Sequence, residues 1–158
     1  MTFVQADEDL PPFEDYSMKG RTYRFMSDAL FPFGYGLSYT TFTIGTARLN
    51  RTEISNNESI TLTIPVMNTG KRNGTEIVQV YVRRSGDNQG PLKTLKGFQR
   101  VSVDAGKTGE AVIELPFSSF EYFGAETHKM CVVAGDYEVL YGRSSKAEDL
   151  NMEKIIIK

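Results

Sequence analysis

The feature that most constrains this chain is a change of hydrophobic pattern at residue 42. From Phe42 onward, apolar side chains recur at every second position. Ile60, Leu62, Ile64 and Val66 share one face of a segment whose other face holds Thr61, Thr63 and Pro65. Val78, Val80 and Val82 alternate with Gln79, Tyr81 and Arg83. The same holds for Ala111, Ile113 and Leu115 against Glu110, Val112 and Glu114, and for Tyr137, Val139 and Tyr141 against Glu138 and Leu140. Successive side chains of a strand point to opposite faces, so this period suits half-buried antiparallel strands. Turn-forming clusters punctuate the runs: Asn68-Thr69-Gly70, Asn73-Gly74, Ser85-Gly86-Asp87-Asn88, Asp104-Ala105-Gly106 and Ala134-Gly135-Asp136. The pattern predicts strands at roughly 42–49, 59–67, 75–84, 94–103, 109–115, 129–133 and 136–142, with an eighth near 150–157. Pro65 has no N–H to give a ladder and predicts an edge or a bulge. Ser118–Phe123 is expected to make a single turn. On this reading Val80 and Ile113 face inward, while Gln79 and Tyr81 face out.

Seven short strands with turns this frequent predict an all-β fold, an immunoglobulin or fibronectin type III-like β-sandwich. The start of the chain obeys no such period. Residues 1–42 hold 10 of the 18 aromatics and three of the six prolines, and residues 1–20 hold five acids against one base. Such a stretch is too irregular for strands and too aromatic for a solvated tail. The expected organisation is therefore an irregular N-terminal arm, residues 1–41, ahead of a sandwich over 42–158.

Charge and composition remove several classes of function. Basic residues number 18 and acidic residues 20, so the basic excess that phosphate binding needs is absent and no nucleic-acid partner is expected. The longest apolar run, Met130–Ala134, is far below the roughly 20 residues of a membrane span, and no membrane partner or signal peptide is expected. One cysteine, Cys131, and one histidine, His128, leave no usual metal site and no disulfide framework, so neither metal nor cofactor is expected. His128 stands beside Lys129 before a strand, as a loop histidine would, and Cys131 sits in an apolar run as a small hydrophobe. Glu110 and Glu114 lie on an outward strand face and Glu121 and Glu126 in a loop, an arrangement without the facing carboxylates of glycoside hydrolysis. No catalytic residue is expected in this chain. Gly34-Tyr35-Gly36 lacks the strand and helix of a phosphate cradle and suits a close-packed connector.

Gly20-Arg21-Thr22-Tyr23-Arg24-Phe25, followed by Leu30-Phe31-Pro32-Phe33-Gly34-Tyr35-Gly36-Leu37-Ser38-Tyr39-Thr40-Thr41-Phe42, resembles the connector near the C-terminus of family 3 glycoside hydrolases. These are the β-glucosidases and β-xylosidases. Val66-Met67-Asn68-Thr69-Gly70, Gly74-Thr75-Glu76-Ile77-Val78-Gln79-Val80-Tyr81 and Leu95-Lys96-Gly97-Phe98-Gln99-Arg100-Val101 resemble successive signatures of that family's fibronectin type III-like domain. Gly135-Asp136-Tyr137-Glu138-Val139, ending at Gly142-Arg143-Ser144-Ser145, is similar to its closing strand. Ala105 and Ala134 stand where the family often has proline.

The resemblance implies a C-terminal accessory piece of a larger retaining hydrolase whose carboxylates lie in upstream domains, with a periplasmic or secreted parent. The implied partners are those upstream catalytic domains of the same polypeptide. Arg21, Tyr23, Arg24, Phe31, Phe33, Tyr35 and Tyr39 are the candidate interdomain contacts, with the two arginines meeting carboxylates there. Freed from those domains, the chain is expected to self-associate or leave part of the arm uncovered. The resemblance also makes loop 84–94 the candidate to approach the mouth of the parent's active site. Two alternatives are a carbohydrate-binding module, resting on an outward Tyr81 with Tyr122 and Phe123, and a free-standing adhesion or partner-binding sandwich.

Overall fold

The computed structural model describes residues 2–124 and 128–158. Two antiparallel sheets face each other across one apolar core. In the first, β4 (Ser59–Asn68) is flanked on one side by β7 (Thr108–Pro116) and on the other by β1 (Phe42–Ile44) and β2 (Arg48–Leu49). The second runs in the order β3 (Glu53–Ile54), β11 (Leu150–Ile157), β10 (Gly135–Gly142), β5 (Gly74–Arg84), β6 (Thr94–Val103), with only the β3–β11 pair parallel. A small hairpin, β8 (Tyr122–Gly124) with β9 (Lys129–Cys131), stands apart from both.

The core follows from the alternation. The register sets Ile60 opposite Leu115, Leu62 opposite Ile113 and Ile64 opposite Ala111, so each apolar face meets an apolar neighbour in the sheet. Val80 and Val82 lie opposite Tyr141 and Val139 in the second sheet. Val80 and Ile113 are both buried, on different sheets. The polar ends of the buried tyrosines are satisfied: Ala47 N–H donates to the Tyr141 hydroxyl over 2.9 Å, and Tyr137 donates to the Val133 carbonyl over 2.8 Å.

The structure departs from the expected strands where one residue breaks the pattern. The run expected at 42–49 splits into β1 and β2 at Gly45, whose N–H bonds the Pro65 carbonyl over 2.8 Å. Pro65 is therefore not on an edge: it lies inside the sheet, where the adjacent chain leaves the ladder and no donor is needed. The single turn falls at Phe117–Phe120, followed by β8 rather than a longer turn to Phe123. It sinks Phe120 into the core, edge-on to Tyr137 with ring centres 5.5 Å apart. β3 and β8 were too short to show a period in the sequence.

Ahead of the sandwich the arm contains a 3-10 turn at Asp7–Asp9 and one α-helical turn, α1 (Thr22–Phe25), joined by turns and extended chain. Its end is fastened by Asn68, which is wholly buried. That amide oxygen accepts from the Thr40 hydroxyl (2.7 Å) and Gly70 N–H (3.0 Å), and its NH2 donates to the Arg72 and Val103 carbonyls (2.8 and 2.9 Å). Every hydrogen-bonding direction of the side chain is used, which explains an Asn inside an apolar end of β4.

Candidate interdomain surface

The arm lies over β5, and this changes the character of that strand. Val78, Gln79, Val80, Tyr81 and Val82 are all buried, five in succession, where alternation predicts every second residue in water. Gln79 and Tyr81 are thus not outward in the sense of exposed: their face is covered by the arm. The Tyr81 hydroxyl donates to Gln79 Oε1 over 2.6 Å, and Gln79 Nε2 donates to the Arg143 carbonyl over 2.6 Å. Burial, with a further contribution from Tyr23, pushes the Tyr81 phenol well above the ordinary tyrosine range. Gly34, at φ 85°, passes so close that a Cβ there would lie 2.2 Å from Gln79 Nε2. No other residue type fits that crossing.

The seven candidate contact residues fall into four groups. Tyr23 and Phe33 hold the arm down: their rings stack at 4.7 Å, Tyr23 meets Tyr81 edge-on at 5.7 Å, and its hydroxyl accepts from Leu95 N–H over 3.2 Å. The Phe33 carbonyl accepts from Ser145 N–H over 2.8 Å, which ties the arm at Phe33 to the chain that follows β10. Phe31 and Tyr35 form a half-covered cluster with Phe3, with ring centres 5.2 and 6.1 Å from Phe31. Tyr39 stands free, 93% exposed, with Leu37 beside it in sequence at 92%. Arg21 turns back onto the arm, donating to the Asp15 and Pro12 carbonyls at 2.9 and 3.3 Å. Arg24 lies 5.6 Å from the centre of the Phe25 ring and makes no ion pair among the described residues.

The other candidates lie apart. His128 is in the turn of the β8–β9 hairpin, at φ 50° and against Phe123, and Cys131 is half-buried opposite Tyr122. Glu110 pairs with Arg48 at 2.8 Å on the surface. Glu126 lies outside the described residues. Tyr122 and Phe123 belong to the hairpin, not to a strip on the sheet face with Tyr81. Sequence reasoning missed Gln79 and Ser145 as anchors of the arm. A polar residue in a strand gives no sign of a covering segment brought from 40 or more positions away.

The sandwich topology and the segment laid across β5 define the class as a fibronectin type III-like domain, and the family of that description matches residues 76–145. A xylan 1,4-β-xylosidase of Xylanibacter ruminicola is 51% identical over 95% of this chain, and a β-xylosidase of Formosa agariphila is 42% identical over 90%. A solved β-glucosidase of Erythrobacter marinus superimposes with TM-score 0.80 over 99% of the chain at 32% identity. This chain spans 17%, 20% and 21% of their respective lengths. The chain belongs, in particular, to the fibronectin type III-like domains of the family 3 glycoside hydrolases.

Proposed function

We propose that this chain is the non-catalytic C-terminal accessory domain of a larger β-xylosidase or β-glucosidase, and that it stabilises the catalytic domains by packing on them. The parent reaction would be retaining hydrolysis at two carboxylates supplied by those upstream domains. The observation that carries this reading is the divided arm. Tyr23 and Phe33 are seated on the sandwich, while Phe13, Tyr16, Leu37 and Tyr39 are 87–93% exposed. Large side chains each offer roughly 150–250 Å² when aromatic, and so many left in water mark an interaction surface. The short span of the relatives' length that the chain occupies supports the same reading. Residues 1–41 then act as the clamp and residues 42–158 as the buttress. Phe31, Tyr35 and Tyr39 meet the upstream domains, Tyr23 and Phe33 hold the clamp in place, and Arg21 braces it through the Pro12 and Asp15 carbonyls.

The test is association. Mixed with a separately produced catalytic region, the chain is expected to bind it, and Tyr39→Ala together with Leu37→Ala to weaken that binding. Alone, the chain is expected to leave nitrophenyl β-xyloside and β-glucoside untouched. Turnover by the chain alone that one of its own point mutations abolishes would sink the proposal.

A further inference from the structure

We propose that the groove between α1, the loop 85–92 and the β8–β9 hairpin binds a carboxylate-bearing sugar, a uronic acid unit of an oligosaccharide. The groove is open to solvent and spans about 1110 Å³, room enough for a sugar unit. It is built jointly by the arm and the sandwich, which are fastened at its edge by Leu92 N–H on the Arg24 carbonyl at 2.7 Å. Three cations line it, Arg24, Arg84 and Lys96, and none has an ion-pair partner among the described residues.

Each cation is positioned. Arg84 lies 5.7 Å from the Tyr122 ring centre with Nη1 donating to its hydroxyl at 3.4 Å, and Arg24 is 5.6 Å from the Phe25 ring. A stacked guanidinium has its plane set while its fork of N–H groups remains available for bidentate pairing with a carboxylate. Lys96 is delivered by a β-bulge: Val80 pairs with Gly97 but Tyr81 with Leu95, so Lys96 has no opposite residue and can be aimed out of the ladder. Burial holds its ammonium below the ordinary lysine range, with Arg24 adding to the shift and Glu121 opposing it.

Two carboxylates share the lining. Asp87 accepts from Gln89 and Gly90 N–H at 3.0 and 2.8 Å through one oxygen, which fixes it to the loop, and with Glu121 it leaves the lining a net positive charge of one. Phe123 and Met130, 59% and 56% exposed, add the apolar surface that a sugar's C–H face requires, and the Asn88 and Gln89 amides suit its hydroxyls. Rings between separated cations fit a sugar acid better than the unbroken basic strip an acidic peptide would favour. The choice of a saccharide rests on the proposed glycosidase parent; the cationic character of the groove does not.

The test titrates the 158-residue chain with three probes, followed by amide chemical shifts. These are a xylo-oligosaccharide with one glucuronic acid branch, the same oligosaccharide unbranched, and an acidic hexapeptide. The branched sugar is expected to move amides of 84–92 and 122–124 and to bind about tenfold more tightly than the unbranched one, the worth of a charge-assisted pair. Arg84→Lys, which keeps the charge and loses the fork, and Lys96→Gln are each expected to weaken it severalfold with the remaining spectrum unchanged. Should Arg84→Lys disturb the fold, Lys96→Gln carries the test. Equal binding of both sugars, tighter binding of the hexapeptide, or no shifts at all would each overturn the assignment. None of these results touches the accessory role, which is read from association with the catalytic region.

Discussion

Two stretches of the same arm, both rich in aromatic side chains, end in opposite environments. Residues 20–34 place Tyr23 and Phe33 on β5, with Tyr81 beneath and Gln79 against Gly34. Residues 35–39 carry Tyr35, Leu37 and Tyr39 with 51%, 92% and 93% of their surface exposed. The difference is not one of hydrophobicity. The first stretch meets the Tyr81 ring and the buried Gln79 amide of β5, flanked by backbone N–H groups of Leu92, Leu95 and Ser145 that donate to its oxygens. In the second, Tyr35 meets only the half-covered Phe31 ring, and Leu37 and Tyr39 are left almost wholly in water among the described residues. An aromatic segment is covered only where its partner supplies both area and hydrogen-bond complements, and the uncovered remainder marks where a partner is needed.

Four measurements test that contrast. The largest loss should come from the sandwich interior: Phe120→Ala removes a ring that is 2% exposed and is expected to cost about 3–5 kcal/mol. A loss under about 1 kcal/mol in denaturant unfolding would mean the core is not where stability resides.

Next is the seam between arm and β5. Gln79→Ala strands the Tyr81 hydroxyl and the Arg143 carbonyl, so about 1–3 kcal/mol is expected, and the arm should lose hydrogen-exchange protection with it. A neutral substitution there would show the arm to be laid on without being anchored.

A graded effect follows at high pH. Burial raises the phenols of Tyr81, Tyr137 and Tyr141, the hydrogen bonds of the latter two partly opposing the rise. The unfolded chain gives up these protons near pH 10 while the folded one retains them, so stability is full below about pH 10 and falls as pH rises. Melting temperatures from pH 8 upward should show that fall, and Tyr81→Phe should make it shallower.

The smallest effect is at Tyr39. Replacing it by Ala should change the stability of this chain by no more than about 0.5 kcal/mol. A larger loss would place Tyr39 in a contact within the chain or between its copies, and a concentration series of the melting temperature would tell those two apart.

The strands from residue 59 onward were legible because period 2 reports directly on which side chains face a core. The run at 42–49 was only half legible: Gly45 breaks it, and the break shows only when Pro65 is seen across the ladder. The candidate contacts were legible as a group through their aromatic density and family resemblance, but not as individuals. Nothing in Tyr23 or Tyr39 as neighbours of glycines, prolines and arginines tells which one is covered. The groove was invisible in sequence, since Arg24, Arg84, Lys96 and Tyr122 are far apart and one of them depends on a bulge.

The class of fold, the inward faces of the long strands and the family were all readable from the residues alone. Those properties are local: they depend on alternation, turn chemistry and short motifs, each read within about ten residues. Only the tertiary structure decided that both faces of β5 are buried, which half of the arm is spent on the sandwich, and where three cations converge. Those are properties of pairs distant in the chain, such as Gly34 with Gln79, Phe33 with Ser145, and Arg24 with Leu92. A residue's own chemistry sets what it can do when buried, but the approach of a second segment sets whether it is buried at all.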